Sequence, residues 1–244
     1  MNFNWTLFFE PTPYGDGIYL YWLLAGLAVT ISLAISAWII AFVFGSVVGI
    51  MRTLDSKWVR NIAACYIELF RNIPLLVQIF LWYTLVPQML SGSFKIWFMQ
   101  ELDPEIQIFI LAAIALGLFT SARVAEQVRT GLQTLPRGQK YAALALGLTQ
   151  TQTYFSILLP NAYRKIVPTL TSEMTNIIKN SSIASTIGLL DLTGQIDRIN
   201  ESTNSIVEIL CGVTLAFALV NYAIIRIMRI VERRTRLPNM MNGG

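Results

Sequence analysis

A long run of uncharged residues near the amino terminus constrains this chain more than any other feature of its sequence. No Asp, Glu, Lys or Arg occurs between Gly17 and Met51. A helix needs about 20 apolar residues to cross the hydrocarbon core of a bilayer, so the run exceeds one crossing. Its first residues, Tyr19–Leu24, predict a short interfacial helix ahead of the crossing. The chain is therefore predicted to be an integral membrane protein.

The composition supports this interpretation and excludes several kinds of site. Charged residues make up only 13% of the 244 residues, and mean hydropathy is +0.56. Soluble globular proteins carry about 25% charged residues, so this chain has too few to cover a water-facing surface. The chain has no histidine, which leads us to expect no catalytic residues and no metal site. We expect Cys65 and Cys211 to be core residues rather than a disulfide.

Further apolar segments predict more crossings. Three other uncharged runs of near-spanning length are Asn72–Phe94, Ile106–Ala122 and Ile209–Ile225. A further candidate, from Ile166 to Leu190, is the least hydrophobic because Glu173 and Lys179 interrupt it. The predicted fold class is all-α, with five transmembrane helices in a single transmembrane domain over residues 1–244.

The charges of successive loops alternate in sign. The amino-terminal tail and the third and fifth extramembrane segments carry an excess of acids, whereas the second, fourth and last segments carry an excess of bases. The fourth segment, residues 123–165, has six bases against the single acid Glu126. Cytoplasmic loops are enriched in Lys and Arg, so the amino terminus is predicted to lie outside and the carboxyl terminus in the cytoplasm.

The fourth segment also contains clear helix signals. Ala142–Leu146 favours a helix, and Gly147 is placed to end it in a left-handed conformation. Thr149 and Gln152 have the spacing of a capping box for a second short helix. Pro160 is predicted to close that helix ahead of the next span.

Polar residues inside the predicted spans suggest a pathway. Glu68 and Arg71 share a helical face and can neutralise each other, as a structural pair or as part of a gate. Glu173, Asn176 and Asn180 form one helical stripe. A charge at mid-bilayer costs roughly 2.5 kcal/mol or more, so the stripe is expected to face a cavity or a partner helix.

The sequence bears on two kinds of chemistry, nucleotide hydrolysis and peptide or ester hydrolysis. No G-x-x-x-x-G-K-[ST] nucleotide-binding loop occurs in the sequence, so the energy for any uphill transport is expected to come from another chain. A hydrolase built on Lys179, Ser181 and Ser182 is an alternative, but a polar helix that lines a cavity is favoured.

The motifs resemble those of bacterial ABC importer permeases for polar amino acids. The EAA loop of that family resembles Tyr141-Ala142-Ala143, Gly147 and Ile157-Leu158-Leu159-Pro160, with Tyr141 in place of Glu. The family's E-x-x-R-x-x-P-L-L-V-Q stretch resembles residues 68–78, and its I-K-D-[ST]-S signature resembles residues 178–182, with Asn180 in place of Asp. Residues 125–129 with Gly138-Gln139 resemble the family's segment that leads into the EAA loop. Residues 119–123 and the tail Glu232-Arg233-Arg234…Arg236-Leu237-Pro238 are most similar to glutamate/aspartate importers.

This resemblance implies a type I ABC importer transmembrane fold with a cytoplasmic coupling loop at residues 138–160. The residues that it implies for docking to an ATPase are Tyr141, Ala142, Ala143, Gly147, Leu159 and Pro160. The residues that we expect along a substrate pathway are Glu68, Arg71, Asn72, Glu173, Asn176, Lys179, Asn180, Ser181 and Ser182.

The implied function is that of a multi-pass permease subunit in the bacterial inner membrane, which imports polar and particularly acidic amino acids. The implied partners are a second homologous permease chain in a heterodimer, two ATPase subunits that bind ATP and Mg²⁺, and a periplasmic substrate-binding protein. No nucleic acid is expected. The alternatives are a permease for glutamine or basic amino acids, and a membrane channel or scaffold.

Overall fold

The computed structural model describes residues 4–235, and these residues are predominantly helical. The α-helices of this range are α1 Tyr19–Met51, α2 Lys57–Asn72, α3 Leu75–Met89, α4 Gly92–Ile96, α5 Pro104–Gln133, α6 Arg137–Ala145, α7 Gln150–Gln152, α8 Leu159–Ser181, α9 Gly194–Thr203 and α10 Ile206–Thr235. Short 3-10 segments occur at Leu7–Phe9 and Ser182–Ile187, and π segments at Trp97–Glu101 and Thr153–Leu158. The all-α prediction is confirmed for the described residues. The tail residues Arg236, Leu237 and Pro238 lie outside them.

Three of these helices, α1, α5 and α10, are long and apolar enough to cross a membrane. Helices α2 and α3 meet at an angle of 104° and raise the number to four if the bent pair forms one span. Proline has no backbone N–H and disfavours a helical conformation for the residue before it, which explains the break at Ile73 and Pro74. Helix α8 contains four charged residues, Arg164, Lys165, Glu173 and Lys179, and is not among the helices apolar enough to span.

The predicted interfacial helix at Tyr19–Leu24 is wrong, because these residues form the first turns of the 33-residue helix α1. Tyr19 and Trp22 are buried, and the indole N–H of Trp22 donates to Asp16 Oδ2 at 3.0 Å. These two rings therefore pack against the amino-terminal segment and do not act as anchors at a membrane interface. Cys65 and Cys211 are free thiols, as predicted, but both are exposed, so their predicted place in the core is wrong.

The chain divides into two compact units, and the first comprises Met1–Ile39, Ile73–Gly117 and Asn176–Tyr222. Its apolar core consists of Leu7, Tyr19, Trp22, Leu23, Leu192, Ile199, Ile209 and Val213. The Arg198 guanidinium stacks on the Trp22 ring at 3.9 Å. The hydroxyl of Thr30, fully buried in α1, accepts the backbone N–H of Leu192 at 3.0 Å, which satisfies a polar group that burial would otherwise penalise.

The second unit comprises Ile40–Asn72, Leu118–Thr175 and Ala223–Gly244. In it, α1 packs closely on α5 at two glycines. A Cβ on Gly45 would lie 2.7 Å from the Ser121 carbonyl oxygen, and one on Gly49 would lie 2.6 Å from that of Ala125. These glycines have the G-x-x-x-G spacing that lets membrane helices approach closely. Side-chain hydrogen bonds strengthen this unit, including Tyr163 to Ser46 at 2.5 Å.

Candidate functional site

Helix α6 and its carboxyl-terminal cap agree with the sequence prediction. The helix runs from Arg137 to Ala145, and Gly147 has a φ of 85°, in the left-handed region that glycine adopts without strain. The N–H of Gly147 donates to the Leu144 carbonyl at 3.0 Å, and that of Leu148 donates to the Ala143 carbonyl at 3.2 Å. This pair of bonds is a Schellman motif, which satisfies carbonyls at the end of the helix.

The capping box after α6 is also present. The Thr149 hydroxyl accepts the Gln152 N–H at 3.2 Å, and the Gln152 side chain accepts the Thr149 N–H at 2.9 Å. The prediction that Pro160 closes the second helix is wrong, because the chain continues through a π segment into α8. There the Leu159 N–H donates five residues back, to the Tyr154 carbonyl. This wider turn just ahead of the proline, which has no N–H to donate, lets the helix continue.

Of the residues predicted to dock an ATPase, some are exposed and others are buried. Tyr141 and Ala142 are exposed, as are Gly147 and Pro160, whereas Ala143 is 5% and Leu159 6% exposed. Ala143 therefore packs inside this chain instead of entering a partner's groove. Leu146, which the prediction omitted, is 81% exposed at the end of α6. Large apolar side chains that face outward on a polar loop are typical of an interaction surface.

A charged cavity of about 420 Å³ lies in the second unit, and the residues that line it are Arg71, Arg123, Glu126, Gln127 and Glu173. Arg71 comes from the end of α2, Glu173 comes from α8, and the other three come from α5. The volume lies in the usual range for small-molecule sites, about 300–1,000 Å³.

The charges of this cavity are held by specific contacts. Arg129 pairs with Glu126 through a fork of hydrogen bonds, including Nε to both carboxylate oxygens at 3.0 Å. Gln127 Nε2 donates to Glu173 Oε1 at 3.1 Å, and the Arg123 guanidinium lies 4.8 Å from the Phe119 ring centroid. These contacts orient the polar groups before any ligand arrives, which lowers the entropy lost on binding.

The cavity lining carries two guanidinium groups and two carboxylates. Arg129 pairs with Glu126, and the lining also contains the guanidinium groups of Arg71 and Arg123 and the carboxylate of Glu173. Guanidinium groups bind carboxylates through paired hydrogen bonds, and a carboxylate binds an ammonium group. The lining therefore contains groups that can contact the carboxylate and the ammonium groups of a small molecule.

The structure brings together two residues of the predicted pathway, Arg71 and Glu173, in this cavity. Glu68 and Asn72 are exposed on α2. Within residues 4–235, Arg129 forms an ion pair with Glu126, whereas no ion pair joins Glu68 to Arg71. The remaining pathway residues lie at the end of α8 and just beyond it, in the first unit: Asn176, Lys179, Asn180, Ser181 and Ser182. The hydroxyls of Ser181 and Ser182 donate to backbone carbonyls three residues back, at 2.7 Å.

Sequence reasoning missed Arg123, Glu126 and Gln127 as cavity residues because it placed them in a loop. Helix α5 instead continues to Gln133, since no proline or glycine cap stops it before Pro136. The signal was present, because Arg123 and Glu126 are three residues apart at the end of an apolar run.

Comparisons with known proteins agree with this architecture. The family model for the binding-protein-dependent transport system inner membrane component matches residues 41–237. The chain is 50% identical over 243 residues to the glutamate/aspartate import permease protein GltJ of Escherichia coli K12, covering 100% of this chain and 99% of that protein. It is 28% identical to the glutamate/aspartate import permease protein GltK of E. coli O6:H1, covering 96% and 99%. The crystal structure of an amino acid ABC transporter with histidines superimposes with a TM-score of 0.74 at 29% identity, covering 88% and 95%.

Proposed function

Because the chain belongs to the family of binding-protein-dependent transport system inner membrane components, we propose that it is a permease subunit of an ATP-driven importer of glutamate and aspartate. The observation that carries this proposal is the 50% identity, over the whole chain, to GltJ. The chain acts as a transport subunit in the bacterial inner membrane, and ATP and Mg²⁺ bind to partner ATPase subunits.

The proposed complex has two different permease chains. In E. coli, GltJ and GltK are both named as glutamate/aspartate import permeases, and this chain is similar to each at a different level of identity. This supports a heterodimer of the present chain with a second homologous permease. Two ATPase subunits dock on the coupling loops, where this chain presents Tyr141, Ala142 and Leu146. A periplasmic binding protein delivers the substrate.

The proposed topology has five crossings, with the amino terminus outside and the carboxyl terminus in the cytoplasm. The bent pair α2 and α3 forms one crossing, and α8 forms the least apolar one. Its 23 residues extend about 35 Å at 1.5 Å per residue, enough for a hydrocarbon core about 30 Å thick. The charges of α8 are compatible with a crossing if they face protein or a cavity, and Glu173 already does so.

The charged cavity is proposed to lie on the substrate pathway. Arg71 and Arg123 would hold the two carboxylates of glutamate or aspartate, and Glu173 would hold the α-ammonium group. A basic amino acid is disfavoured because its second positive charge would meet two guanidinium groups. Glutamine would leave one guanidinium group without a carboxylate. A channel or scaffold is disfavoured because neither needs a loop helix shaped to dock an ATPase.

Transport by the reconstituted complex tests the proposal. We expect ATP-dependent uptake of labelled glutamate and aspartate into vesicles that contain both permeases, the ATPase subunits and the binding protein. Arg123→Gln should reduce glutamate uptake about tenfold or more, since hydrogen bonds to charged groups contribute about 1.5–3 kcal/mol. Glutamine uptake, supported by a binding protein that delivers it, should fall much less.

Arg229→Gln serves as the matched control, because Arg229 is an exposed arginine on α10 that does not line the cavity. Its glutamate uptake should equal that of the unmodified protein. Uptake of another amino acid in place of glutamate and aspartate would overturn the proposed substrate. Equal losses of glutamate and glutamine uptake in Arg123→Gln would remove Arg123 from substrate recognition.

A further inference from the structure

A second groove, of about 550 Å³, lies between the end of α5 and the beginning of α8. Its lining includes the apolar residues Ile166 and Pro168. The two helices are in close contact at this point, since a Cβ on Gly131 would lie 2.8 Å from Ile166 Cγ2. The groove and the charged cavity share no lining residue. The groove is therefore separate from the proposed substrate site.

Two basic side chains, Arg164 and Lys165, are part of the groove's lining. Arg164 is exposed, and Lys165 Nζ donates to the Thr134 carbonyl at 3.0 Å, which holds the lysine at the groove. The acid in the lining is Glu232. Two cations and one acid give the lining a net positive charge, so an anionic ligand is favoured over a neutral one. These bases belong to the segment that the sequence predicts on the cytoplasmic side.

Pro168 interrupts the regular backbone hydrogen bonding of α8 next to the groove. Proline has no N–H, so the Arg164 carbonyl lacks the donor that the residue four positions later provides in an ordinary helix. Arg164 and Pro168 both line the groove. A ligand hydroxyl at this place can provide the missing donor, next to the guanidinium group that attracts its phosphate.

We propose that this groove binds one anionic glycerophospholipid of the phosphatidylglycerol type. Its phosphate contacts Arg164 and Lys165, a headgroup hydroxyl donates to the Arg164 carbonyl, and an acyl chain covers Ile166 and Pro168. The combination of apolar and basic residues in one lining matches the two ends of this lipid. Basic pockets between helices on the cytoplasmic side are typical sites for anionic headgroups.

Lipid retention by the purified transporter complex tests the proposal. The complex is equilibrated with mixed micelles of phosphatidylglycerol and phosphatidylcholine, and the bound lipid is counted by native mass spectrometry. We expect one tightly held phosphatidylglycerol for each copy of this chain. Arg164→Gln and Lys165→Gln should each weaken its retention about fivefold, as expected for one basic residue near an anionic lipid.

Two further variants separate this site from general electrostatics. Lys57→Gln removes an exposed lysine that does not line the groove, and it should leave retention unchanged. Glu232→Gln removes the acid in the lining and should strengthen retention, an opposite effect that loss of folding cannot imitate. Arg164→Lys, which keeps the charge, should hold the lipid better than Arg164→Gln.

The proposal is overturned if Arg164→Gln and Lys57→Gln change retention equally, because the lipid would then respond only to overall charge. It is also overturned if Glu232→Gln weakens retention. Loss of the ATPase subunits from Arg164→Gln, with lipid retention unchanged, would assign the groove to the ATPase interface instead.

Discussion

Asp191, in a loop outside the spanning helices, is a carboxylate with unusual surroundings. It is fully buried in the turn before α9, where its Oδ1 accepts the N–H groups of Thr193 at 3.1 Å and Gly194 at 2.8 Å. Burial raises the pKa of the Asp191 carboxyl to about 6, and the two hydrogen bonds counteract only part of that rise. The fold therefore favours the protonated acid.

This shift predicts how stability depends on pH. A pKa that is higher in the folded than in the unfolded state contributes stability below the unfolded value of 3.8, and this contribution is lost as pH rises through about 6. The full effect is about 3 kcal/mol. Asp191→Asn keeps an oxygen for both N–H groups but cannot ionise, so the variant should be more stable than the unmodified protein at about pH 8.

The measurement is the temperature of half-unfolding of the purified protein between about pH 4 and pH 8. We expect the advantage of Asp191→Asn to shrink towards acidic pH. Asp197→Asn, which changes an acid of α9 that is not fully buried, should follow the unmodified protein. Parallel pH curves for Asp191→Asn and the unmodified protein would contradict the proposed role of burial.

At the scale of single elements, α6 shows why a motif needs a structure before it can guide mutagenesis. The resemblance marks Ala142 and Ala143 alike, but only Ala142 is exposed. Leu146→Asp places a charge on the outer surface, where it should block ATPase docking while leaving the fold intact. Ala143→Asp places a charge inside the chain itself, which is strongly destabilising when the charge is unpaired.

Two measurements separate these outcomes. Leu146→Asp should insert in the membrane and unfold at the normal temperature but lose the ATPase subunits on purification. Ala143→Asp should unfold at a lower temperature. Gln150→Asp, an exposed polar position on α7, is the control and should keep the ATPase bound. Normal ATPase binding by Leu146→Asp would remove the end of α6 from the docking surface.

Helix α1 shows a second limit of pattern reading at the element scale. One row of its exposed apolar residues occurs at four-residue intervals, at Ile31, Ile35, Ile39, Val43 and Val47. Its face towards α5 instead carries Gly45 and Gly49. In a bilayer, apolar side chains gain little by leaving the lipid, and small residues let helices pack closely. The apolar run therefore predicts a crossing, but the G-x-x-x-G spacing is what identifies the packed face.

At the scale of the whole molecule, the topology makes a direct prediction. With Cys65 and Cys211 replaced by serine, since both are exposed, single cysteines are introduced at Tyr14, Ser202 and Gln150. A membrane-impermeant thiol reagent should label Tyr14→Cys and Ser202→Cys in intact cells. Gln150→Cys should react only after the membrane is permeabilised, because the basic loop that contains it is predicted to be cytoplasmic.

Ile35→Cys, on the apolar face of α1, is the control and should not react in either case. Labelling of Gln150→Cys in intact cells would reverse the proposed orientation. If Gln150→Cys and Ser202→Cys were equally accessible, both positions would lie on the same side of the membrane. The segment between them, which contains α8, would then not cross the membrane once, as the five-helix arrangement requires.

The sequence by itself determined the helical membrane class, the cap at Gly147 and the capping box at Thr149, because these depend on hydropathy and on hydrogen bonds between near neighbours. Only the structure shows that α1 is one continuous helix from Tyr19, that α5 extends to Gln133, and that the chain stays helical through Pro160. Each depends on packing partners or on hydrogen-bond registers that no local pattern contains. The charged cavity has the same origin, since Arg71, Arg123 and Glu173 come from three helices. Their common site exists only because tertiary packing brings these distant residues together.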